Sequence, residues 1–475
     1  MLVYAKVEFE KAIREWDGFG FNYVQTAQSM NYTADPQDYG GFSILSEEKK
    51  LEILELVFGK DGLRPGVMKL FLDPFHQTED HVNPQGLDQI LPENYDHEST
   101  TGHMLEFVRR GLELTRRDGR DLELITTLYG PPPFMTAQKL LRGRDLDPAY
   151  REELAKYIVS WAKHLKAQGL PIRYLSIHNE GEDYHRWPYD GSHGNIGTGH
   201  DYNLWWTPEA VAQFVTLLRQ TLDANGLDEL GVTPGENTNW TRFYTWGYAQ
   251  ALADDAQAMQ SLGLITSHGF SAGMPGDRWY GDHRSTGTDL LRSIRPKLHS
   301  WVTSTSWSKM DAKFLYQIYG NIYCAKVNAI IPWAGIQRAP LWVGGDPNPG
   351  NAIAVHEDGT YEVRDGYYYY KQVSTIGQPG MYVASTCATA TEVAVIAFEK
   401  GATDNPNGLT IINCSDKEVK LHLNVSGCTT EVWNCTRTAV ADNERYAQLA
   451  DVKSENGSIS LILPPNSATT LTEKA

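Results

Sequence analysis

Short apolar runs alternate with longer segments of helical periodicity over about the first 370 residues. Eight of these runs have the length and the flanking residues of buried β-strands. The predicted strands are WDGFGFN (16–22), GVMKLFLDP (66–74), LELITTLYG (122–130), IRYLSIHNE (172–180), LGVTPGEN (230–237), LITSHGF (264–270), SWVTSTSW (300–307) and AIIPWAGIQ (329–337). Because helical segments separate the strands, the pattern predicts an α/β fold, a (β/α)8 TIM barrel.

The segments between these strands carry helix signals at their ends. Predicted helices cover 46–58, 100–117, 147–168 and 207–225. The last two begin at Asp147 and Thr207, which are N-cap residues followed by proline. Gly169 and Gly226 stand just beyond their C-terminal ends. In such a barrel the catalytic residues are expected at the carboxyl ends of the strands.

After about residue 370 the pattern changes to alternation with period two. Runs such as TEVAVIAFEKG and VKLHLNVSG are separated by turn residues, which predicts a C-terminal antiparallel β-sandwich. Residues 1–14 alternate in the same way and could add a strand to that sandwich. The predicted organisation is therefore an N-terminal strand (1–14), a barrel (15–370) and a β-sandwich side domain (371–475).

Composition excludes several classes of partner. The net charge of −17 argues against nucleic acid and against anionic membranes. No run of 18 apolar residues is present, so no transmembrane helix is expected. The five cysteines occur in no CxxC spacing, which favours free thiols, although a Cys428–Cys435 disulfide stays open for an exported protein.

The beginning of the sequence and its aromatic content bear on location and ligand. The opening residues are charged and lack the apolar core of a signal peptide. We therefore expect a cytoplasmic protein, or a secreted one whose leader is absent from this sequence. The 13 Trp and 25 Tyr, many beside Gly, Pro or His, suit the flat faces of sugar rings, although core packing must account for most of them.

The segment YLSIHNEGEDYHRWPYDG (174–191) contains the strongest candidate for chemistry. A buried strand ends there in Asn179 and Glu180. Burial raises the pKa of a carboxyl group, as a general acid requires near neutral pH. Asn179 could donate a hydrogen bond to a substrate hydroxyl beside the reacting carbon. The structural alternative is that Glu180 caps a helix or forms a buried ion pair.

An Asn-Glu pair that closes the fourth strand of a barrel resembles the acid/base signature of clan A glycoside hydrolases. DGFGFN (17–22) resembles the opening DGFG of glycoside hydrolase family 30, and YGPPPFMT (129–136) resembles the SPPAWMK-like segment of that family. HGF (268–270) falls where these enzymes carry a histidine and an aromatic residue. YYYYKQVSTIGQPGMYVAST (367–386) resembles the passage into their side β-sandwich. The resemblance covers essentially the whole chain.

This resemblance implies a retaining β-glycoside hydrolase that acts by double displacement on a carbohydrate or glycoconjugate. Two carboxyl groups about 5 Å apart flank the bond in such enzymes, one as acid/base and one as nucleophile. Glu180 takes the acid/base position. The nucleophile should end strand seven, where the flanks Trp301 and Trp307 fit but the residue is Ser304. The resemblance implies no cofactor.

Four explanations for Ser304 are open. The first, which we favour, is an engineered Glu-to-Ser change that traps a substrate complex or creates a glycosynthase. The second is a natural relative that binds carbohydrate without hydrolysing it. The third moves the nucleophile to Glu236 in PGENTNW. The fourth is a misplaced strand seven or a different chemistry, such as nucleophilic attack by a substrate acetamido group. A Ser/His/Asp hydrolase is disfavoured because no GxSxG motif surrounds Ser304.

Further candidates for substrate binding stand at strand ends and in long loops, with packing at the barrel mouth as the alternative for each. Those at strand ends are Asp73, Tyr129, Asn237, Trp240, His268, Trp333 and Gln337. Those in the loops 181–206 and 271–288 are Trp187, Trp279 and Tyr280. Trp333 is our choice for the floor beneath the reacting sugar, whereas His268 could equally be a core histidine. The cluster His76, Glu79, Asp80 and His81 matches no metal motif, so no metal is predicted.

Overall fold

Two large sheets organise the chain. The structure, a computed structural model, describes residues 2–25, 38–72, 95–139, 143–183, 204–270, 283–305, 309–338, 351–428 and 430–474. Within these ranges, the strands form a sheet of eight, a sheet of ten and a small sheet of three. The eight-stranded sheet is the barrel and the ten-stranded sheet forms a β-rich side domain, which confirms the predicted fold class.

The barrel contains one strand from each of the eight predicted runs. The chain begins with β1 (Leu2–Glu15), which belongs to the ten-stranded sheet. The barrel strands are β2 (Gly18–Asn22), β3 (Val67–Leu72), β4 (Glu123–Leu128), β5 (Ile172–Ser176), β6 (Gly231–Thr233), β7 (Ile265–Ser267), β8 (Ser300–Val302) and β9 (Ala329–Ile330). Their order is β6-β5-β4-β3-β2-β9-β8-β7, and every pair is parallel. Bridges from Val232 to Leu262 and from Asn237 to Ser267 nearly close the barrel.

Helices surround the barrel, and the four predicted ones are among them. They are α1 (Glu47–Phe58), α2 (Gly102–Arg117), α3 (Arg151–Ala167), α4 (Pro208–Ala224), α5 (Trp240–Thr245), α6 (Tyr248–Asp254), α7 (Ala256–Ser261), α8 (Thr286–Ile294) and α9 (Ala312–Tyr323). Thr207 caps α4 through its side chain, as predicted, whereas Asp147 caps a short 3-10 turn that leads into α3. Gly169 and Gly226 adopt positive φ angles of 74° and 67° after α3 and α4.

The paired strands are shorter than the apolar runs that predicted them. In the described part of the run 300–307 the ladder covers Ser300–Val302, and Thr303, Ser304 and Thr305 are buried beyond it. Apolar patterning reports burial rather than strand pairing, so it extends past the last paired residue. The short helices α5, α6 and α7 between β6 and β7 were not predicted, because six or seven residues hold too few turns to show a period.

The C-terminal part of the chain builds the small sheet and the side domain. The small sheet contains β10 (Ile336–Gln337), β11 (Ile353–Val355) and β12 (Tyr361–Val363), and α10 (Asp365–Ser374) follows it. Together with β1, the side domain contains β13 (Tyr382–Ala388), β14 (Val393–Glu399), β15 (Gly408–Asn413), β16 (Val419–Ser426), β17 (Val432–Ala439), β18 (Glu444–Gln448), β19 (Val452–Lys453), β20 (Ser458–Leu463) and β21 (Ser467–Glu473). β1 pairs antiparallel with β13 and parallel with β16. Alternate residues of β1 enter the core of this domain, where Phe9 stacks on Trp433 at 6.1 Å between ring centroids.

Aromatic and hydrogen-bonded contacts join the barrel to the side domain. The ring of Trp16, just before β2, lies 5.0 Å from that of Phe398 in β14. On α10, Tyr370 donates to a backbone carbonyl of β2 (2.7 Å), and Gln372 donates to a threonine hydroxyl of β17 (3.0 Å). Because α10 contacts both parts, the domain boundaries at 14/15 and 370/371 remain predictions.

The structure bears on three predictions from the sequence, which concern the cysteines, membrane-spanning helices and metal sites. All five cysteines are free thiols, so no disulfide joins Cys428 to Cys435. Among the helices of the described ranges, none is long and apolar enough to cross a membrane. The same ranges hold no group of three or more His, Cys, Asp and Glu side chains placed to bind a metal ion. The cluster at residues 76–81 lies outside them.

Candidate active site

Three consecutive strand ends bring polar side chains together at the carboxyl end of the barrel. Glu180 follows β5, Glu236 follows β6 and His268 follows β7. The backbone N–H of Glu180 donates to the carbonyl of Glu236 (2.7 Å), and the N–H of Glu236 donates to the carbonyl of His178 (3.0 Å). These bonds continue the parallel register beyond the strands and fix the backbones of both glutamates.

His268 lies between the two carboxyl groups. Its Nδ1 is 2.8 Å from Oε1 of Glu180, and its Nε2 is 3.0 Å from Oε2 of Glu236. The side chains of His268, Glu180 and Glu236 are 3%, 5% and 0% exposed. The imidazole ring therefore separates the carboxyl groups and is hydrogen-bonded to both.

A lysine inside the barrel neutralises Glu236. Lys69 of β3 forms an ion pair through Nζ with Oε2 of Glu236, and both side chains are fully buried. Thr127 of β4 donates its hydroxyl to Oε1 of the same carboxylate. Burial raises the pKa of Glu236, but the Lys69 charge and the His268 hydrogen bond outweigh it and bring the pKa to about 2. Glu236 is therefore ionised at neutral pH.

Burial keeps the two histidines of this region neutral. It lowers the pKa of His268, although the hydrogen bond with Glu236 opposes the shift. It also lowers the pKa of His178, to about 3. The Nδ1 of His178 accepts a hydrogen bond from the backbone N–H of Gly181 (3.2 Å). Lys69 consequently supplies the positive charge that Glu236 faces.

Glu180 holds an unusual backbone conformation. Its φ angle of 49° lies in the left-handed region, which for a residue other than glycine costs about 1–3 kcal/mol. The chain turns tightly there, since a Cβ on Gly181 would lie 2.7 Å from the carbonyl oxygen of Leu204. Such conformations persist where the surrounding structure enforces them and occur often at functional sites.

Ser304 ends the strand at which the family resemblance expects a carboxylate. It is 3% exposed and stands between two buried threonines, Thr303 and Thr305. The N–H of Thr303 donates to the carbonyl of Ser267 (3.0 Å), so the register of β7 and β8 extends to this point. This strand end therefore presents hydroxyl groups instead of a carboxylate.

An aromatic group adjoins the buried ion pair. The ring of Phe71 in β3 lies 5.2 Å from that of Tyr129 and 5.8 Å, edge-on, from that of Trp333. The Nζ of Lys69 lies 5.1 Å from the centroid of Phe71. The structure thus brings Tyr129 and Trp333, both predicted from the sequence, together through Phe71, which was not.

Two predicted amides lie at the same strand ends. Asn179 is buried directly before Glu180. Asn237 is also buried, and its carbonyl accepts a hydrogen bond from the N–H of His268 (2.8 Å). Within the part of the chain that the structure describes, neither side-chain polar atom of Asn237 has a hydrogen-bond partner. Its buried amide is therefore a ready partner for a polar ligand.

Two further predicted residues, Trp240 and Gln337, have partners outside this cluster. Trp240 donates its indole N–H to Oδ1 of Asn321 (2.9 Å), so it packs between α5 and α9. Gln337 of β10 accepts a hydrogen bond from Asn351 (2.6 Å) in the small sheet. Asp73, Trp187, Trp279 and Tyr280 lie outside the described residues.

Two groups that the structure places beside Glu236 were not predicted from the sequence. Lys69 stands in the apolar run VMKLFL, where a single charged residue among buried ones was a usable signal. Thr127 gave no signal, because a threonine is ordinary in a strand. Glu236 itself was considered only as a replacement nucleophile.

Comparisons with known proteins bear on the fold. No family sequence model matches the chain, and no curated protein matches it. A glycoside hydrolase family 30 endoxylanase from Clostridium papyrosolvens matches with a TM-score of 0.68 at 16% identity, covering 99% of this chain and 100% of that one. Xylanase C of the same family from Talaromyces cellulolyticus gives 0.70 at 18%, covering 99% and 100%. An endo-β1,6-glucanase gives 0.68 at 16%, covering 99% and 93%. At these identities the likeness shows a family 30-type fold, and the activity must be argued from the residues of the site.

Proposed function

We propose that the protein is a glycoside hydrolase scaffold that binds a β-linked carbohydrate at the barrel mouth, with Glu180 as the acid that protonates the leaving oxygen. The observation that carries this proposal is the position of Glu180. It is a buried carboxyl group at the end of the fourth barrel strand, in a strained backbone conformation, hydrogen-bonded to His268. Burial favours the protonated form that a general acid needs, and strained backbone conformations occur often at functional sites.

The proposed sugar site lies between Glu180 and the aromatic group of Phe71, Tyr129 and Trp333. Aromatic faces pack against the C–H faces of sugars, and buried amides such as Asn179 and Asn237 can bind hydroxyl groups. Asp73, Trp187, Trp279 and Tyr280 are proposed to complete the walls. The xylanase and β1,6-glucanase activities of the solved structures with this fold support a β-linked glycan as the ligand class.

The parent reaction is proposed to be double displacement with retention. In that reaction a carboxylate at position 304 attacks the anomeric carbon while Glu180 protonates the leaving oxygen, and Glu180 then removes a proton from the attacking water. A serine at this position cannot form the glycosyl-enzyme at a useful rate. We propose that the present chain is the inactivated form of such an enzyme.

Glu236 is a poor substitute for the missing nucleophile. Both of its oxygens accept hydrogen bonds, and its charge is neutralised by Lys69 in a site without solvent exposure. The acid and the nucleophile must also lie on opposite sides of the glycosidic bond. Here the ring of His268 occupies the space between Glu180 and Glu236, where the sugar carbon would have to stand.

A second function, carbohydrate binding without hydrolysis, is favoured by one observation. The end of β8, the seventh barrel strand, carries three hydroxyl side chains, those of Thr303, Ser304 and Thr305. The second carboxylate of the site, that of Glu236, is neutralised by Lys69. A natural binding protein would keep the aromatic group while losing the nucleophile. The two functions differ in whether one substitution restores catalysis.

The test compares the present chain with Ser304→Glu and with Ser304→Gln, which has nearly the same shape but no nucleophile. Each is assayed against a panel of aryl β-glycosides, with glycoside binding followed by calorimetry. We expect the Glu form alone to hydrolyse one member of the panel, by a factor on the order of 10⁴–10⁶ over the other two. If all three bind a sugar and none hydrolyses it, the binding function is supported instead. Activity of the present chain would contradict the proposed nucleophile position.

A further inference from the structure

Trp246 is an exposed aromatic residue that the site described above does not use. It directly follows α5 and is 42% exposed. Within the described ranges it is the one tryptophan whose side chain is exposed rather than buried or half-buried. Single apolar side chains are ordinary on a protein surface, so this ring carries an argument only if the structure holds it in a fixed position.

The guanidinium group of Arg242 fixes the indole. Its central carbon lies over the ring of Trp246, 4.4 Å from the centroid. The backbone N–H of Trp246 also donates to the carbonyl of Arg242 (3.0 Å), one helical turn earlier. A cation in this position covers one face of the ring. The exposed surface of Trp246 therefore belongs to the opposite face and to the edges.

Two carboxylates that follow Glu180 anchor Arg242 in turn. The Nη1 of Arg242 lies 3.4 Å from Oε1 of Glu182 and 3.6 Å from Oδ2 of Asp183. Glu182 has no exposed side-chain surface, and its Oε1 also accepts from the backbone N–H of Thr238 (2.8 Å). Because Arg242 and Glu182 are both buried, these contacts tie the indole to the segment that carries Glu180.

Further contacts place Trp246 at the carboxyl end of the barrel. A Cβ on the next residue, Gly247, would lie 3.7 Å from Cγ of Pro208, the first residue of α4. Trp206, just before α4, donates its N–H to the carbonyl of Gly181 (2.8 Å). The start of α4 thus lies against the turn that follows β5, and the indole stands beside it.

The order of the barrel strands places this indole on the leaving-group side of Glu180. Glu180 follows β5 and Trp246 follows β6, whereas Trp333 follows β9, which lies across the barrel from β5. The sugar site proposed above lies between Glu180 and Trp333. A general acid protonates the oxygen of the leaving group, so the part of the substrate beyond Glu180 is that group. Trp246 lies in the direction in which it extends.

We propose that the exposed face of Trp246 is a stacking platform for a sugar ring of the leaving group, so that the substrate is a β-linked glycan chain that continues past the cleaved bond. This inference rests on the proposed function and narrows its substrate to an oligosaccharide or polysaccharide. An indole face packs against the C–H face of a sugar, and the charged rim of Arg242 and Asp183 suits its hydroxyl groups. A lipid leaving group requires a continuous apolar surface instead.

The test measures binding by the present chain, which requires no hydrolysis. Xylo-oligosaccharides and β1,6-linked gluco-oligosaccharides, from disaccharide to hexasaccharide, are titrated by calorimetry beside the methyl β-glycosides of both sugars. We expect affinity to rise with chain length. Trp246→Ala should weaken binding of the preferred hexasaccharide about three- to tenfold, the effect of one aromatic face, and leave the methyl glycoside unchanged. Trp246→Tyr keeps an aromatic face and should retain most of the affinity.

Tyr244 supplies the matched control. It belongs to the same helix and is 41% exposed, but it stands two residues before Trp246, and side chains at that spacing do not face each other. Tyr244→Ala should therefore leave every affinity unchanged. ¹⁹F NMR of protein labelled with fluorotryptophan gives a second readout. The signal that is lost in Trp246→Phe should shift when the hexasaccharide is added and should not shift with the methyl glycoside.

The inference is overturned if Trp246→Ala binds the hexasaccharide as tightly as the parent chain, or if Tyr244→Ala loses as much affinity. It is also overturned if octyl β-glucoside shows the same dependence on Trp246, because the leaving group would then be lipid-like. Affinity that depends on Trp246 in a chain that Ser304→Glu does not activate would defeat the proposed function and leave the platform standing. Restored hydrolysis without that dependence would do the reverse, and no binding of any probe would overturn both.

Discussion

Replacing Lys69 with methionine removes the ammonium group that faces Glu236 inside the barrel. Both side chains of this pair are fully buried, so the variant leaves a carboxylate without its counter-charge in the interior. Loss of one member of a buried ion pair costs about 3–5 kcal/mol. Methionine fills a similar volume, so little of the expected loss comes from a cavity.

The loss should depend on pH with a definite sign. The folded-state pKa of Glu236 is about 2, below its ordinary value of 4.5, so the ion pair stabilises the fold above pH 4.5 and loses this effect as the pH falls through about 2. In Lys69→Met, burial is no longer opposed by the ammonium and raises the folded-state pKa. The difference between variant and parent should therefore be small near pH 4 and should grow toward pH 7.

Urea unfolding followed by tryptophan fluorescence at several pH values measures this difference. The matched control is Lys166→Met, which breaks a surface pair with Glu229 whose side chains are 41% and 45% exposed. That control should cost no more than about 1 kcal/mol at any pH. The double variant Lys69→Met/Glu236→Gln should recover most of the lost stability. A loss in Lys69→Met that is no larger than in the control, or that does not vary with pH, would refute the reasoning.

Three further predictions concern the site and the base of the barrel. In the present chain, sodium azide should accelerate cleavage of an activated aryl β-glycoside and give the α-glycosyl azide, because Ser304 leaves room for a small anion. A β-glycosyl azide, or no azide product, would contradict this prediction. Trp333→Ala should weaken glycoside binding about three- to tenfold in calorimetry, through loss of an aromatic face, while unfolding stays cooperative. The hydrogen bond with Asp17 raises the pKa of His299 above 6.5, so its stabilising effect is complete below pH 6.5 and is lost as the pH rises through the higher folded-state value. In the parent chain the urea midpoint should fall as the pH rises through this range, and in His299→Gln that fall should disappear. An equal fall in both proteins would exclude the His299–Asp17 pair as its cause.

Much of the fold follows from local patterns. All eight barrel strands and the capped helices are visible in the chain, because apolar runs, N-cap residues and terminal glycines act within a few residues of where they stand. The same patterns do not show where pairing ends, because in the described part of the run 300–307 the ladder stops at Val302 whereas burial continues to Thr305. The helices α5 to α7 were too short to show a period.

The site could be read only in part, because its members meet through tertiary structure. Glu180 was conspicuous, since a carboxyl group in an apolar strand end has few structural uses. Its partner His268 lies 88 residues away, and Lys69 is 167 residues from Glu236. No local pattern connects such positions. For the same reason the sequence did not show that the indole N–H of Trp240 is bonded to Asn321.

The most direct test of the central claim asks whether Glu180 supplies the proton in a chain that carries Ser304→Glu. Glu180→Ala is added to this background, and aryl β-glycosides with good and poor leaving groups are compared with and without azide. The account predicts a large loss of rate for poor leaving groups, a small loss for good ones, and azide rescue that yields the β-glycosyl azide. An unchanged rate with poor leaving groups, or an α-glycosyl azide as the product, would contradict it.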